Sequence, residues 1–105
     1  MIILPSEVRR KREAGEDFIL LDVREQWEYD LAHIPDSILI PLSSLPARLS
    51  ELDSTDEIIT LCHHGVRSAS AQSILINAGF LDVKNMTGGI DAYSTTADAT
   101  IPRYR

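Results

Sequence analysis

Apolar residues occur in short runs separated by polar segments and glycines, a pattern that predicts alternating strands and helices. Residues 18–23 form a nearly continuous apolar run, as expected for a strand covered on both faces. Three further short strands are predicted at residues 37–40, 57–61 and 82–86. The third of these four strands ends immediately before Cys62.

Helical segments are predicted between these strands, at residues 6–14, 25–31, 43–52, 66–78 and 90–95. Ser6 is the expected N-cap of the first helix and Gly15 its stop, and Ser43 or Ser44 is the expected N-cap of the third. The third helix has apolar residues at helical spacing: Leu45, Leu49 and Leu52. The fourth has an expected apolar face of Val66, Ala69, Ile74, Leu75 and Ala78.

Strands that alternate with helices are typical of an α/β layer fold with a mostly parallel sheet. Residues 1–105 contain no internal repeat, low-complexity tract or linker, so we expect one domain over the whole chain. The tail at residues 101–105 is expected to be irregular.

Charge and hydropathy narrow the classes of partner. The net charge of −6 argues against nucleic acid and anionic membranes, which both need a basic face. The basic run at residues 9–12 is interpreted as the solvated face of a helix. No run approaches the roughly 18 apolar residues of a membrane span, and the N-terminus does not resemble a signal peptide. We therefore expect a cytoplasmic protein.

The chain has a single cysteine, Cys62, so no intrachain disulfide can form, in keeping with a reducing compartment. A zinc site is not expected, because one cysteine with His33, His63 and His64 does not give a usual ligand spacing. A lone cysteine at a strand end is more often a small buried apolar residue than a nucleophile.

The residues around Cys62 favour a nucleophile over a buried apolar residue. Between a buried strand and a helix lies a loop with turn-permissive and basic residues: Cys62, His63, His64, Gly65, Val66, Arg67 and Ser68. Such a loop can direct backbone N–H groups at one point, and the following helix adds partial positive charge. We therefore expect the Cys62 thiolate to be stabilised there as a nucleophile.

Other residues of the loop have candidate roles. Gly65 permits a positive φ, which lets the loop curl around the sulfur. Arg67 offers a fork of donors suited to an oxyanion, and Ser68 is placed to cap the helix or to donate to the sulfur. His63 and His64 are candidates for switchable positive charge around the cradle.

The sequence resembles the rhodanese family over nearly its whole length. The likeness is carried by LDVRE, WEY, HIP, CHHGVRS, GF followed by DV, and GGIDAY, at residues 21–25, 27–29, 33–35, 62–68, 79–83 and 88–93. Single motifs of this kind are weak signals, but their order and spacing together are specific.

The resemblance implies a three-layer fold with a central, mainly parallel five-stranded sheet. It implies a sulfurtransferase that carries sulfur as a persulfide on Cys62, without a metal or organic cofactor. Thiosulfate or a persulfidated partner protein would be the donor, and cyanide, a thiol or a sulfur-carrier protein the acceptor. Asp22 and Arg24 match an Asp-x-Arg element that we interpret as structural support near the loop.

Some positions depart from the family pattern, at turn and packing sites: Ala32, Asp36, Ser37, Leu39 and Tyr93. These departures concern local geometry more than chemistry. The tail at residues 101–104 is similar to that of rhodanese domains fused behind ubiquitin-activating-like sulfur-transfer enzymes. This likeness implies a role in a sulfur relay, in cofactor biosynthesis or tRNA thiolation.

Two alternatives remain open from the sequence. Cysteine phosphatases have five residues between cysteine and arginine, whereas Cys62 and Arg67 enclose four, which gives a smaller cradle for a tetrahedral phosphate. A non-enzymatic binding or regulatory module is the second alternative, although inactive members of the family typically lack the cysteine that this chain retains.

Overall fold

The computed structural model describes residues 1–104, and Arg105 lies outside them. The strands are β1 (Ile2–Ile3), β2 (Ile19–Asp22), β3 (Ile38–Leu39), β4 (Glu57–Leu61) and β5 (Asp82–Met86). The α-helices are α1 (Pro5–Glu13), α2 (Gln26–Leu31), α3 (Val66–Asn77) and α4 (Gly89–Thr96), and a 3-10 helix spans Leu42–Glu51. Residues 101–104 are irregular, as predicted for the tail. Within residues 1–104, no helix combines the length and apolar character that crossing a bilayer requires.

The five strands form one sheet in the order β1-β5-β4-β2-β3, and every neighbouring pair is parallel. The predicted α/β fold with a central five-stranded sheet is confirmed. Asp22 at the end of β2 is in register with Leu61 at the end of β4. Because parallel strands end at the same edge, the segments after β2 and β4 leave the sheet side by side.

The apolar pattern predicts four of the five strands and omits β1. A strand of two residues is too short to show a period, so the sequence pattern contains no signal for it. Ile2 and Ile3 pair with Asn85 and Met86 of β5. β1 therefore exists through pairing with a distant segment rather than through a local pattern.

α1 begins one residue earlier than predicted. Leu4 is the N-cap and Pro5 the first helical residue, so Ser6 lies inside the first turn and does not cap the helix. Proline suits this position because the first N–H groups of a helix have no intrahelical acceptor. The predicted serine cap is therefore wrong.

The segment after β3 is a 3-10 helix rather than an α-helix. Pro41 is its N-cap, so neither Ser43 nor Ser44 has that role, and Leu52 lies beyond its end in an extended conformation. Pro46 inside the segment lacks an N–H group, which weakens the α-helical hydrogen-bond pattern there.

α3 begins at Val66 as predicted, and its predicted apolar face is confirmed in part. Leu75 is buried and Ile74 is partly buried, whereas Val66, Ala69 and Ala78 are exposed. The helix buries Ser68 and Ala71 in place of these three residues. Thr60 of β4 donates to the Ser68 carbonyl at 3.0 Å, which turns the first helical turn towards the sheet.

The positions that depart from the family pattern occupy distinct local environments. Asp36 has φ +68°, a left-handed conformation that favours glycine and that aspartate tolerates better than most residues. The Ala32 carbonyl accepts a 2.7 Å hydrogen bond from Arg24. Tyr93 is buried, and Arg12 donates to its hydroxyl at 2.9 Å, so the basic run on α1 is not wholly solvated.

Two apolar clusters cover the two faces of the sheet. Leu20 and Ile59 belong to one cluster, and their neighbours Leu21 and Ile58 belong to the other, as the alternation of side chains along strands requires. Helices α1 and α4 supply Val8, Ile90 and Tyr93 to the first cluster, and α3 supplies Ala71 and Leu75 to the second. The result is a three-layer arrangement of helices, sheet and helices.

A buried arginine connects β2 to the segments packed beside it. Arg24 is fully buried, and its guanidinium binds Asp22 with Nη2–Oδ2 and Nε–Oδ1 distances of 2.6 and 2.9 Å. It also donates to the carbonyls of Ala32 and Glu28 at 2.7 and 3.3 Å and to the Tyr104 hydroxyl at 2.9 Å. A buried charge needs this degree of pairing, so the geometry fits a supporting role for Asp22 and Arg24.

A second ion pair extends these contacts to α3. Glu28 is 3% exposed and accepts hydrogen bonds from Arg67, with Nη1–Oε1 and Nη2–Oε2 distances of 2.6 and 2.8 Å. The Tyr104 hydroxyl donates to Glu28 Oε2 at 2.6 Å. The hydrogen bonds from Arg67 outweigh burial and lower the pKa of Glu28 to about 2. We refer to these connected residues as the polar chain: Asp22, Arg24, Tyr104, Glu28 and Arg67.

We expect Glu28→Gln to lower the free energy of unfolding at pH 7 by about 2 kcal/mol, because Arg67 loses its buried anionic partner. The pKa of Glu28 lies below that of an unfolded glutamate, at about 2 against 4.5. Its contribution to stability is therefore complete above pH 4.5 and is lost as the pH falls towards 2. Urea denaturation between pH 2 and 7 would measure both effects.

Glu51→Gln is the matched control for this experiment. Glu51 also pairs with an arginine, Arg48 at 2.8 Å, but on the exposed surface of the 3-10 helix. Such a pair contributes little, so the control should stay close to the wild type. A variant at Glu28 whose stability varies with pH in the same way as the wild type would contradict the assignment.

Candidate active site

Cys62 is the first residue after β4, at the carboxyl edge of the sheet, and it is 1% exposed. The strand delivers it into the second apolar cluster, while α3 begins four residues later at Val66. The structure therefore places Cys62 in a loop between a buried strand and a helix, as predicted. A cysteine held this way has its thiol among apolar neighbours, so its chemistry depends on the few polar groups that reach the sulfur.

Two donors reach the sulfur from the start of α3. The Gly65 backbone N–H lies 3.0 Å from Cys62 Sγ, and the Ser68 hydroxyl lies 3.3 Å from it. Ser68 is fully buried, which directs its hydroxyl into the site. Donors to sulfur favour the negatively charged form of the atom that accepts them. The cradle thus combines one backbone and one side-chain donor around Sγ.

The turn that directs the Gly65 N–H at the sulfur depends on the conformation of glycine. Gly65 is the N-cap of α3 with φ +106°, a backbone conformation that other residues rarely adopt. Asn85 of β5 donates to the Gly65 carbonyl at 3.1 Å. Ser68 is therefore not the helix cap, and its hydroxyl is available to the sulfur.

The carbonyl groups of the loop are held by the N-terminus of α4. The Ile90 N–H donates to the Cys62 carbonyl at 2.8 Å, and the Asp91 N–H donates to the His63 carbonyl at 3.2 Å. A Cβ atom at Gly89 would clash with both carbonyl oxygens. Gly89 therefore allows the close approach by which the start of α4 holds the carbonyls of Cys62 and His63.

The two histidines of the loop lie in different environments. The His63 ring is half-buried between His64 and Tyr104, with ring centroids 4.1 Å from each. Burial, and then the charge of His64, lower the pKa of His63. His64 is exposed, with Nε2 3.7 Å from Asp91. The positively charged form of His63, one of the two expected switchable charges, is therefore disfavoured.

Arg67, the candidate oxyanion ligand, is engaged within the protein. Both of its terminal nitrogens donate to Glu28, and this pairing raises the pKa of Arg67. Val66 between the loop and the helix is 78% exposed, so its side chain faces solvent. The structure brings Cys62, Gly65 and Ser68 into direct contact and places Arg67 on the polar chain instead.

Three residues that contact the loop were not predicted from the sequence to belong to the site: Glu28, Gly89 and Tyr104. The signal for Glu28 and Gly89 was present, because both lie in motifs that carried the family resemblance. Their roles were not visible, since a contact with a loop tens of residues away leaves no local pattern. Tyr104 lies in the tail that was expected to be irregular and had no assigned role.

His63, His64 and Asp91 offer possible metal-ligand atoms within 4.8 Å of one another. The two rings are stacked with an interplanar angle of 23°, so their in-plane lone pairs do not converge on one point. Arg103 donates to both carboxylate oxygens of Asp91, at 2.8 and 3.3 Å. This geometry suits an ordinary surface cluster better than a metal centre.

Comparisons with known proteins identify relatives of the chain. The chain is 34% identical over 94 residues to the thiosulfate sulfurtransferase GlpE of Pseudomonas syringae pv. syringae. The aligned region covers 90% of this chain and 87% of that protein. It is 40% identical over 82 residues to the putative sulfur carrier protein YrkF of Bacillus subtilis. That match covers 78% of this chain but 44% of YrkF.

The fold and the family agree as well. A rhodanese-like domain protein from Staphylococcus aureus superposes with a TM-score of 0.86 and 27% identity, over 100% of both chains. The family profile of the rhodanese-like domain matches residues 4–96. This match spans β2 to β5, the Cys62 loop and the helices that hold it, and the chain belongs to the rhodanese-like domain family.

Proposed function

We propose that the protein is a sulfurtransferase of the thiosulfate sulfurtransferase (rhodanese) type that carries sulfane sulfur as a persulfide on Cys62. The donor is thiosulfate or a persulfide, and the acceptor is cyanide, a thiol or a sulfur-carrier protein. The observation that carries this proposal is the pair of donors, Gly65 N–H and Ser68 hydroxyl, at 3.0 and 3.3 Å from Sγ. We place the activity in one domain over residues 1–105, and its cytoplasmic location stays a prediction.

In the first step the Cys62 thiolate attacks the outer sulfur of thiosulfate. A bond forms between Sγ and that sulfur, and the sulfur–sulfur bond of the donor breaks, with its electron pair leaving on sulfite. In the second step an acceptor nucleophile attacks the outer sulfur of the persulfide, and Sγ leaves as the thiolate. The chain has one cysteine, so the sulfur passes to another molecule rather than into an internal disulfide.

The residues around Sγ stabilise negative charge in both steps. The Gly65 N–H and the Ser68 hydroxyl face the atom that is a thiolate before attack and again after transfer. The loop from His63 to Ser68 surrounds the transferred sulfur. The names of GlpE and YrkF, a thiosulfate sulfurtransferase and a putative sulfur carrier, support a small donor and a protein partner respectively.

Two other functions have less support. A phosphatase needs donors for the phosphate oxygens. Arg67, the arginine of the Cys62 loop, already binds Glu28 with both terminal nitrogens. A binding module without catalysis needs no donors at a cysteine sulfur, whereas Gly65 and Ser68 both reach Sγ. Hydrolysis of a phosphate ester that requires Cys62 would support the phosphatase.

Treatment with thiosulfate, desalting and intact mass measurement test the covalent intermediate. We expect the wild type to gain about 32 Da, one sulfur atom, and to lose it on adding cyanide or a thiol. Cys62→Ser should gain nothing. A wild type that gains no sulfur from either thiosulfate or a small persulfide would refute the proposed carrier.

Ser68→Ala tests the side-chain donor. We expect sulfite release in a single turnover with thiosulfate to slow about tenfold, because one hydrogen bond to a charged sulfur is lost. Ser73→Ala is the matched control, since Ser73 is exposed on the same helix and its hydroxyl donates to the Ala69 carbonyl at 3.4 Å. Equal rates for the two variants would remove Ser68 from the mechanism.

A further inference from the structure

We propose that Tyr104, in the irregular tail after α4, is a positioning residue of the Cys62 site. Its ring holds the His63 side chain, and its hydroxyl holds the carboxylate that anchors Arg67. The activity part of this inference rests on the proposed function. The structural part concerns the donors at Sγ and stands without it.

The tail brings Tyr104 to a defined place. Ile101 is 6% exposed in the first apolar cluster, and its carbonyl accepts a hydrogen bond from the Ser94 hydroxyl. Arg103 binds Asp91, in the first turn of α4, with two hydrogen bonds at 2.8 and 3.3 Å. The backbone is therefore fixed on both sides of Pro102, and Tyr104 lies over the loop because the preceding residues are anchored.

The ring of Tyr104 acts on the first half of the loop. It stacks on the His63 ring with a centroid distance of 4.1 Å and an interplanar angle of 11°. Its centroid also lies 6.2 Å from that of the Trp27 ring, in a T-shaped arrangement with an interplanar angle of 78°. His63 directly follows Cys62, and its carbonyl is held by the Asp91 N–H at 3.2 Å. Side chain and backbone of His63 are thus held by different elements, which limits the conformations open to the turn ending at Gly65.

The hydroxyl of Tyr104 acts on the second half of the loop. It accepts from Arg24 at 2.9 Å and donates to Glu28 at 2.6 Å, and so it bridges the two ion pairs of the polar chain. Glu28 binds Arg67, which directly precedes Ser68. Contacts from one side chain therefore lead to both donors at Sγ, Gly65 through the ring and Ser68 through the hydroxyl.

The hydroxyl keeps its proton at neutral pH. Burial, and then the hydrogen bond to the charged Glu28, raise the pKa of Tyr104 to about 12. The group can therefore donate to Glu28 while it accepts from Arg24. Phenylalanine at this position would keep the stacking and lose the bridge, whereas leucine would lose both, so the two substitutions separate the two contacts.

Tyr29 provides a matched control. It also stacks on a histidine, His33, with centroids 4.0 Å apart, and its hydroxyl also donates within the protein, to the Ser37 carbonyl at 3.1 Å. Tyr29→Phe and Tyr29→Leu therefore remove the same kinds of contact elsewhere. If the Tyr104 variants lose activity only because the protein is less stable, then Tyr29 variants with the same denaturation midpoint should lose as much activity.

The first readout is amide hydrogen exchange by NMR, which does not depend on sulfur transfer. We expect Tyr104→Leu to accelerate exchange of the Gly65 amide at least fivefold relative to the Ile59 amide in the centre of β4. Tyr104→Phe should lie between this variant and the wild type, and Tyr29→Leu should leave the ratio unchanged. Gly65 and Ile59 amides that change in parallel in Tyr104→Leu would overturn the inference.

The second readout is the sulfur-transfer reaction from thiosulfate to cyanide. We expect Tyr104→Leu to lower kcat about tenfold and to change KM less than twofold, with kcat partly restored in Tyr104→Phe. Equal kcat losses in the Tyr29 variants would overturn the positioning role. A wild type that transfers sulfur to cyanide from neither thiosulfate nor a small persulfide would refute the proposed function instead, and the exchange ratio would then decide the role of Tyr104.

Discussion

A full positive charge lies out of contact with water at Arg24, and the chain has to supply acceptors for every part of it. Asp22 neutralises the charge, and the carbonyls of Glu28 and Ala32 and the Tyr104 hydroxyl accept its other hydrogen bonds. Leaving such a group unpaired would cost several kcal/mol. The end of β2, the end of α2 and the tail are therefore held together around it, and Glu28 and the first turn of α3 are attached to that assembly.

The orientation of the Cys62 loop follows from where its backbone groups can be satisfied. The N-terminal amides of α4 lack intrahelical acceptors, and they bind the carbonyls of Cys62 and His63. The same requirement leaves the N–H of Gly65 directed at Sγ. Close contact between loop and helix is possible because Gly89 has no side chain. The site is thus built from the unpaired ends of two helices that meet at the carboxyl edge of the sheet.

Local patterns in the sequence were sufficient to predict the positions of β4, of Cys62 at its end and of the start of α3. A continuous apolar run followed by glycine and a helix is a strong signal. They were insufficient for β1, which exists only through its pairing with β5. The α3 face was predicted only in part: Leu75 is buried as expected, but Ser68 is buried while Val66 is 78% exposed, against the ranking of their side chains by hydrophobicity. Arg67 could be identified as a functional candidate, but its partner Glu28 lies 39 positions away and is chosen by the fold.

The 1% exposure of Cys62 has a consequence for the direction of attack in the proposed persulfide. A persulfide offers two electrophilic atoms, and attack at the inner one would give a mixed disulfide and release hydrosulfide, which traps the protein. The second sulfur lies about 2 Å beyond Sγ. An incoming nucleophile meets this outer atom first, while the surrounding protein shields Sγ. Burial of the cysteine would thereby act as a regiochemical filter that keeps the sulfur on the path to its acceptor.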